Sequence, residues 1–426
     1  MNRHSILIIA LLLTVSLAGC GKAAGPDLSS KNVTIKNRGT YFEVTLDFSR
    51  GASHLEMGKE LGLKIVETVP EYEASLDSYL SEISKDTDTY NLFIKRVNDI
   101  RPQLDKEYRD EIEGMASSFS GQGKNIRGDG KLSEDEVYLM NLCPDIARFT
   151  QCSALGVYGE RSESGHDISM RILDWFAGSQ NQLSRYHAVC RFQNSEKSIA
   201  TIGYLGYMGC ISGFNDDKVF GAILDSPTME TYSSKQKESY SFDLRHALEN
   251  SRTIAAAAGY LKSQDRNYTY GHLIFFSDPN ISKVLENNIS GKADGIRALR
   301  TDKSRLNTSI EWNISDSVGC VNSFLLKGNM DNHSVSLSNT ARFDSMKKEL
   351  QGKGDRISQE EMKELASYYT GDSPGLQEDG DLYNIKTQQI IVFEPGKADY
   401  RVFFRPAREE IPVKPVFQKI PASFGD

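Results

Sequence analysis

Close to Cys152 the apolar residues change from a helical period to short β-rich runs, and that change limits the folds open to this chain. From about Ala52 to Phe119, Leu61, Ile65 and Val69, then Ile100, Leu104, Tyr108, Ile112 and Met115, recur at three- and four-residue steps. That spacing predicts helices with one buried face. Ahead of them, within 33–48, the alternation Tyr41-Phe42-Glu43-Val44-Thr45-Leu46-Asp47 predicts a single strand. From Cys152 onward the runs are short, β-rich and broken by Gly and Asn: Ala154 to Tyr158, Ile199 to Tyr204, Val219 to Leu224, His272 to Phe276, Asn322 to Leu326 and Gln388 to Phe393. Helices are expected between them over Asp243 to Leu261, Thr340 to Leu350 and Gln359 to Tyr368. Strands mixed with helix pairs indicate α+β layering. Pro412, Pro415 and Pro421 mark an extended C-terminal arm.

The first residues carry a targeting signal. Arg3 and His4 precede an apolar run from Ile6 to Leu17, which is too short to favour a spanning helix and ends in Leu17-Ala18-Gly19-Cys20. That ending resembles a bacterial lipobox, which implies a signal peptide over 1–19, a lipid on Cys20 and a tether over 20–32. The expected location is the bacterial cell envelope, lipid-anchored to a membrane and facing away from the cytoplasm. Export leaves Cys143, Cys152, Cys190, Cys210 and Cys320, an odd number, so at least one thiol stays free unless pairing is intermolecular. The cysteine and histidine spacings match no zinc motif, and no metal or other cofactor is expected. The formal net charge of −8 is spread along the chain without a basic patch, which argues against a nucleic-acid partner. Asn125 to Glu136 has the length of a calcium loop, but Arg127 stands where that loop needs an oxygen ligand. A polar turn with Ser133 capping a helix from Glu134 is the simpler reading.

The segment richest in chemistry is Thr150-Gln151-Cys152-Ser153-Ala154-Leu155-Gly156, followed after a turn at Gly165 by Ser169-Met170-Arg171-Ile172-Leu173-Asp174-Trp175. A cysteine opening one strand, with Arg and Asp on the returning strand, gathers a thiol, a cation and a carboxylate at one sheet edge. Here the chain resembles the N-terminal-nucleophile hydrolases of the choloylglycine hydrolase, acid ceramidase and acyl-coenzyme A:6-aminopenicillanic acid acyltransferase group, and is nearest to the acyltransferase-like bacterial branch. Further motifs follow in that branch's order: Asp110 to Ala116 and Leu132 to Asn141 upstream, then Gly213-Phe214-Asn215, Asp278 to Glu286, Asn332-His333 and Ser338 to Arg342.

The resemblance implies a four-layer αββα sandwich over 152–426, preceded by a mainly helical prosegment over 33–151 whose helices could stay bound as a cover. It implies a cut between Gln151 and Cys152. The freed α-amino group, with a pKa of about 7.7–8.0, would then take the proton of a thiol whose ordinary value is about 8.5. The thiolate attacks an amide carbonyl, and water or another nucleophile releases the acyl group from Cys152. The partner is a small-molecule acyl amide or acyl donor. By the same resemblance Asp174 holds the new amino group, Arg171 favours the thiolate and Asn215 offers its amide to the oxyanion. Ile172 departs from the family's usual Asn, and His272-Leu273 stands where an Asn is expected; both departures bear on substrate contacts. The competing reading is a surface lipoprotein that uses the same scaffold only to bind a ligand. A papain-like protease ranks last, because its signature around the cysteine is missing.

Overall fold

The computed structural model describes residues 28–29, 31–147, 151–228, 230–290, 295–408 and 410–424. The signal peptide, Cys20 and most of the tether lie outside the described residues.

The segment before Cys152 holds strands β1 (Leu28–Ser29), β2 (Val33–Asn37) and β3 (Phe42–Asp47). Its helices are α1 (His54–Thr68), α2 (Tyr72–Ile83), α3 (Thr87–Ile100), α4 (Lys106–Ala116), α5 (Glu134–Asn141) and the single turn α6 (Cys143–Ile146). Local chemistry sets the starts: Ser53 with Glu56 closes a capping box on α1, and Ser133 with Glu136 does the same on α5. The expected polar turn precedes α5, where the Asp77 carboxylate accepts the N–H groups of Gly128 and Gly130. Helices α1 and α4 cross almost backbone to backbone. A Cβ on Gly58 would lie 2.0 Å from the Glu111 carbonyl oxygen, and one on Gly114 2.2 Å from that of Leu55.

From Gln151 onward the strands are β4 (Gln151–Val157), β5 (Ile168–Asp174), β6 (His187–Gln193), β7 (Ile199–Tyr204), β8 (Ser212–Asn215) and β9 (Phe220–Asp225). Helices α7 (Tyr240–Asn250) and α8 (Ile254–Leu261) come next, then β10 (His272–Ser277), β11 (Ser282–Asn287), β12 (Arg297–Arg300) and β13 (Ser317–Val321). Helices α9 (Leu337–Gly352) and α10 (Gln359–Ala366) lead to β14 (Thr387–Glu394), β15 (Asp399–Phe404) and β16 (Gln418–Ile420). The proline-bearing arm thus contributes one short edge strand.

Two sheets stack face to face. One has the order β1-β2-β3-β6-β7-β8-β9-β10-β11-β12 and the other β13-β4-β5-β14-β15-β16. Aromatic side chains fill the gap between them: Phe214 stacks on Tyr400 at 3.9 Å and Phe220 lies 4.1 Å from Phe393, centroid to centroid. Helix α7 covers β8 and β9 on the outside of the larger sheet, while α9 and α10 cover β13, β5 and β14 on the outside of the smaller. A second apolar core, with Ile172, Phe343, Met346 and Leu365, sits under that outer helical layer. The α+β class and the helix–sheet–sheet–helix order therefore match the expectation.

Three details differ from it. The strand expected at Asn322 to Leu326 ends earlier, at Val321, so that Asn322 turns out of the sheet. The single helix expected over Asp243 to Leu261 is broken at Ser251, because Thr253 caps a new helix and the Asn215 amide bonds the Leu248 and Ser251 carbonyls. Most consequential, the early strand β3 does not stand apart with the helices. It pairs in parallel with β6, Phe42 opposite Ala188 through Asp47 opposite Gln193, and an ion pair joins Glu43 to Arg191.

Candidate active site

Cys152 is the second residue of β4 and is fully buried. Antiparallel pairing sets Gln151 opposite Asp174, Cys152 opposite Leu173 and Ala154 opposite Arg171. Residues directly opposite share a face and alternate residues return to it, so Cys152, Leu173 and Arg171 all face the larger sheet. The Arg171 Nη2 lies 3.5 Å from the Cys152 Sγ and also donates to the Ile223 carbonyl of β9 at 3.2 Å. Burial pushes the Cys152 thiol up to about 11; Arg171 pulls it down, the Asp174 and Asp225 carboxylates push it up, and a backbone hydrogen bond from Asp174 lowers it. In the intact chain the sulfur is therefore a neutral thiol near pH 7.

The main chain of Cys152 is held from the opposite side. Its N–H donates to Asn322 Oδ1 at 2.6 Å, and its carbonyl accepts from Arg342 Nη1 at 2.6 Å. Arg342 also donates to Ser153 Oγ at 2.9 Å and Asn339 Oδ1 at 2.8 Å, while the Asn322 Nδ2 donates to the Asp225 carbonyl at 2.7 Å. Asp174 is buried with its carboxylate accepting from Gln377 at 2.6 Å, Asn384 at 2.9 Å and Thr387 at 2.8 Å. Burial raises its pKa, and Arg342 and those three donors oppose the rise. Gln151 is half-buried and reaches Ser338 Oγ through Nε2 at 3.3 Å.

The expected set is thus partly gathered. Cys152, Arg171, Asp174 and Gln151 meet at one end of β4 and β5. Asn215 does not join them. It closes the turn between β8 and β9 by accepting the Val219 N–H, and its Nδ2 is spent on α7. The thiol lies near the other end of β9, at Ile223 to Asp225, roughly 15 Å away at about 3.3 Å per residue. Asn215 is a turn residue, and its assignment to the oxyanion is corrected on that ground. The sequence reads Asn322 only as the start of a strand and Asn339 and Arg342 only as part of a late-helix motif, so their roles around Cys152 come from the fold. The available signal was polar Ser338, Asn339 and Arg342 at helical spacing on one side of α9, with Phe343, Met346 and Leu350 beside them; all six are buried.

A narrow apolar pocket lies between the two segments, with walls that include Tyr79, Met140 and Cys143 from the first and Trp175, Tyr204 and Tyr207 from the second; Cys152 itself does not line it. Trp175 follows Asp174 directly and donates from Nε1 to the Tyr79 hydroxyl at 2.8 Å, which ties α2 across the pocket. Within the dipeptide Asn332-His333, Asn332 is structural, since its amide bonds Ser226 Oγ, the Pro227 carbonyl and the Phe324 N–H. Among the described residues, no group of three His, Cys, Asp or Glu is arranged to hold a metal ion, and no helix is long and apolar enough to cross a membrane.

No protein-family model and no curated protein matches the chain. Among solved structures it is similar to the Caenorhabditis elegans ortholog of N-acylethanolamine-hydrolyzing acid amidase, at 16% identity and a TM-score of 0.41 over 57% of this chain and 93% of that one. It is similar to a variant of conjugated bile acid hydrolase from Clostridium perfringens at 14% identity and 0.35, over 65% and 99%. It is also similar to penicillin V acylase from Agrobacterium tumefaciens at 12% and 0.38, over 59% and 83%. The chemistry of the site rests on its own residues.

Proposed function

We propose that this chain is a self-processing cysteine hydrolase of the N-terminal-nucleophile kind that cleaves a linear amide, or transfers its acyl group, through an acyl-enzyme on Cys152. The observation that carries the reading is the environment of one residue. The Cys152 sulfur faces Arg171, while its main-chain N–H and C=O are clamped by Asn322 and Arg342. A cut of the Gln151–Cys152 bond would leave the new α-amino group beside Asn322 Oδ1, a fixed acceptor that orients it. The amine then takes the thiol proton, the sulfur bonds to the substrate carbonyl carbon, and the departing amine leaves with that proton. Water attacks the thioester next, giving its proton to the α-amino group, and the acid product and thiol are released. An apolar acyl group suits the aromatic and aliphatic walls of the pocket.

The lipobox reading supplies the setting: residues 1–19 removed, Cys20 lipidated and the body held at a bacterial membrane outside the cytoplasm. Intact mass spectrometry with N-terminal sequencing, on protein lacking residues 1–20 and on its Cys152→Ala variant, tests the cut. A wild-type fragment that begins at Cys152 and disappears in the variant is the expected result. One observation favours the ligand-binding alternative: in the uncut chain the thiol is buried and neutral. If both folded proteins remain whole, that alternative takes the place of the hydrolase.

A further inference from the structure

A thiol that attacks a carbonyl moves its negative charge from sulfur to the carbonyl oxygen, and that oxygen needs donors. Of those clamping Cys152, Arg342 is fully engaged by Cys152, Ser153, Asn322, Asn339 and the Ser338 carbonyl, and Asn322 Nδ2 gives one of its two N–H groups to the Asp225 carbonyl. The buried donors without a hydrogen-bond partner among the described residues include Nε and Nη1 of Arg171 and the phenolic hydroxyl of Tyr204. Buried donors left unpaired are rare in native proteins and call for an acceptor from elsewhere.

The fold brings these groups together. Tyr204 ends β7, next to Gly203, whose carbonyl accepts from Gln389 Nε2 at 2.9 Å across the gap between the sheets. Gln389 pairs with Leu173, and Leu173 with Cys152, so Gly203 stands over the strand row that carries the thiol. The Tyr204 side chain lines the same apolar pocket as Trp175, and its hydroxyl lies within the electrostatic reach of both Arg171 and Cys152. The ring is fixed by stacking on His187, centroids 5.3 Å apart, and His187 is itself held by the Arg405 carbonyl and Gln389. A phenol oriented in advance with its proton unspent does not have to reorganise when charge appears.

We propose that Tyr204 is a catalytic residue whose O–H, together with the free N–H groups of Arg171, receives the carbonyl oxygen of a bound acyl compound as it becomes the tetrahedral oxyanion. The proposal rests on attack by Cys152 and adds the donors that attack requires. Arg171 then serves the charge twice, beside the sulfur before attack and beside the oxygen after it.

The test is Tyr204→Phe, which removes one oxygen that has no hydrogen-bond partner among the described residues, with an unchanged melting temperature as the check on folding. Octanal adds to a thiol by forming an S–C bond and moving the thiol proton to the carbonyl oxygen, so its adduct places an oxygen where the oxyanion forms; octanamide presents the same chain without forming an adduct. Calorimetric titration is expected to show wild type binding octanal more tightly than octanamide. Tyr204→Phe should lose at least tenfold in octanal affinity while octanamide affinity stays within twofold. On any amide the enzyme turns over, kcat should fall about 100-fold with KM within twofold. Equal losses for both ligands, no loss for octanal, or a wild type that does not prefer octanal would each overturn the assignment. A wild type that hydrolyses no amide but shows the expected octanal pattern would instead sink the hydrolase reading and leave the donor assignment standing.

Discussion

Glu111 on α4 has a side chain with no exposed surface, and it meets the equally buried Arg245 of α7, which belongs to the other side of the Gln151–Cys152 bond. Arg245 Nη2 donates to it at 2.9 Å, His54 Nδ1 lies 2.8 Å from it, and Arg245 also holds Glu249 at 2.8 Å while lying 4.0 Å over the Phe192 ring. Truncating one partner of such a pair strands the other charge out of water, which costs about 3–5 kcal/mol. Glu249 still faces Arg245, so Glu111→Ala should fall at the low end, about 3 kcal/mol, whereas the double variant with Arg245→Met removes both charges and should cost less than the sum of the singles. The assay is urea unfolding in the Cys152→Ala background, so that every chain is continuous, with the coupling energy taken from the four variants. A Glu111→Ala loss below about 1 kcal/mol, or strictly additive singles, would refute the claim that this pair couples the two segments.

Two further outcomes follow from titrating groups. Asp167 is buried with its carboxylate accepting from Ser169, Ser277 and Ser282, and burial lifts its pKa to about 7 from an unfolded value near 3.8. A raised folded pKa means that its contribution is fully present below pH 3.8 and is lost as pH rises through about 7. Asp167→Asn should then be more stable than wild type above pH 7, by on the order of 4 kcal/mol at most, with the advantage gone near pH 4; urea midpoints across that range decide it. For Arg171→Met, removal of the cation that holds the Cys152 thiol down should slow its alkylation by iodoacetamide at about pH 8 by roughly tenfold, as mapped by peptide mass. An unchanged rate would remove Arg171 from the sulfur's electrostatics.

How much of the molecule is legible in the sequence depends on whether the signal is local. Strand β7 begins and ends at the expected residues, Ile199 and Tyr204, and the Ser133 cap starts α5, because alternation and capping are written in neighbouring residues. The cysteine hairpin is legible for the same reason: two strands joined by one turn place Cys152, Arg171 and Asp174 by register alone. Asn322 reads as the start of a strand since Asn322 to Leu326 is otherwise apolar enough; only the arrival of Cys152 and Arg342, from 170 and 20 residues away, gives its amide a reason to leave the sheet. Asn215 misleads for the opposite reason. Its neighbours match a motif, but its amide is consumed by α7, a contact set by tertiary packing. Tyr204 reads as one more strand aromatic, since an unpaired hydroxyl becomes visible only once the surroundings are known.

The parallel pairing of β3 with β6 bears on the life history of the molecule if Gln151–Cys152 is cut. While the chain is continuous, the sheet closes by an intramolecular step whose entropy is set by loop length. Once the bond is gone, the same sheet is shared by two polypeptides, and any unfolding that separates them turns reassembly into a second-order encounter that depends on dilution. The strand register would then preserve an arrangement that only the precursor could assemble efficiently. Heat or denaturant would act on the mature form largely in one direction, so its durability would be a matter of unfolding rate rather than of equilibrium.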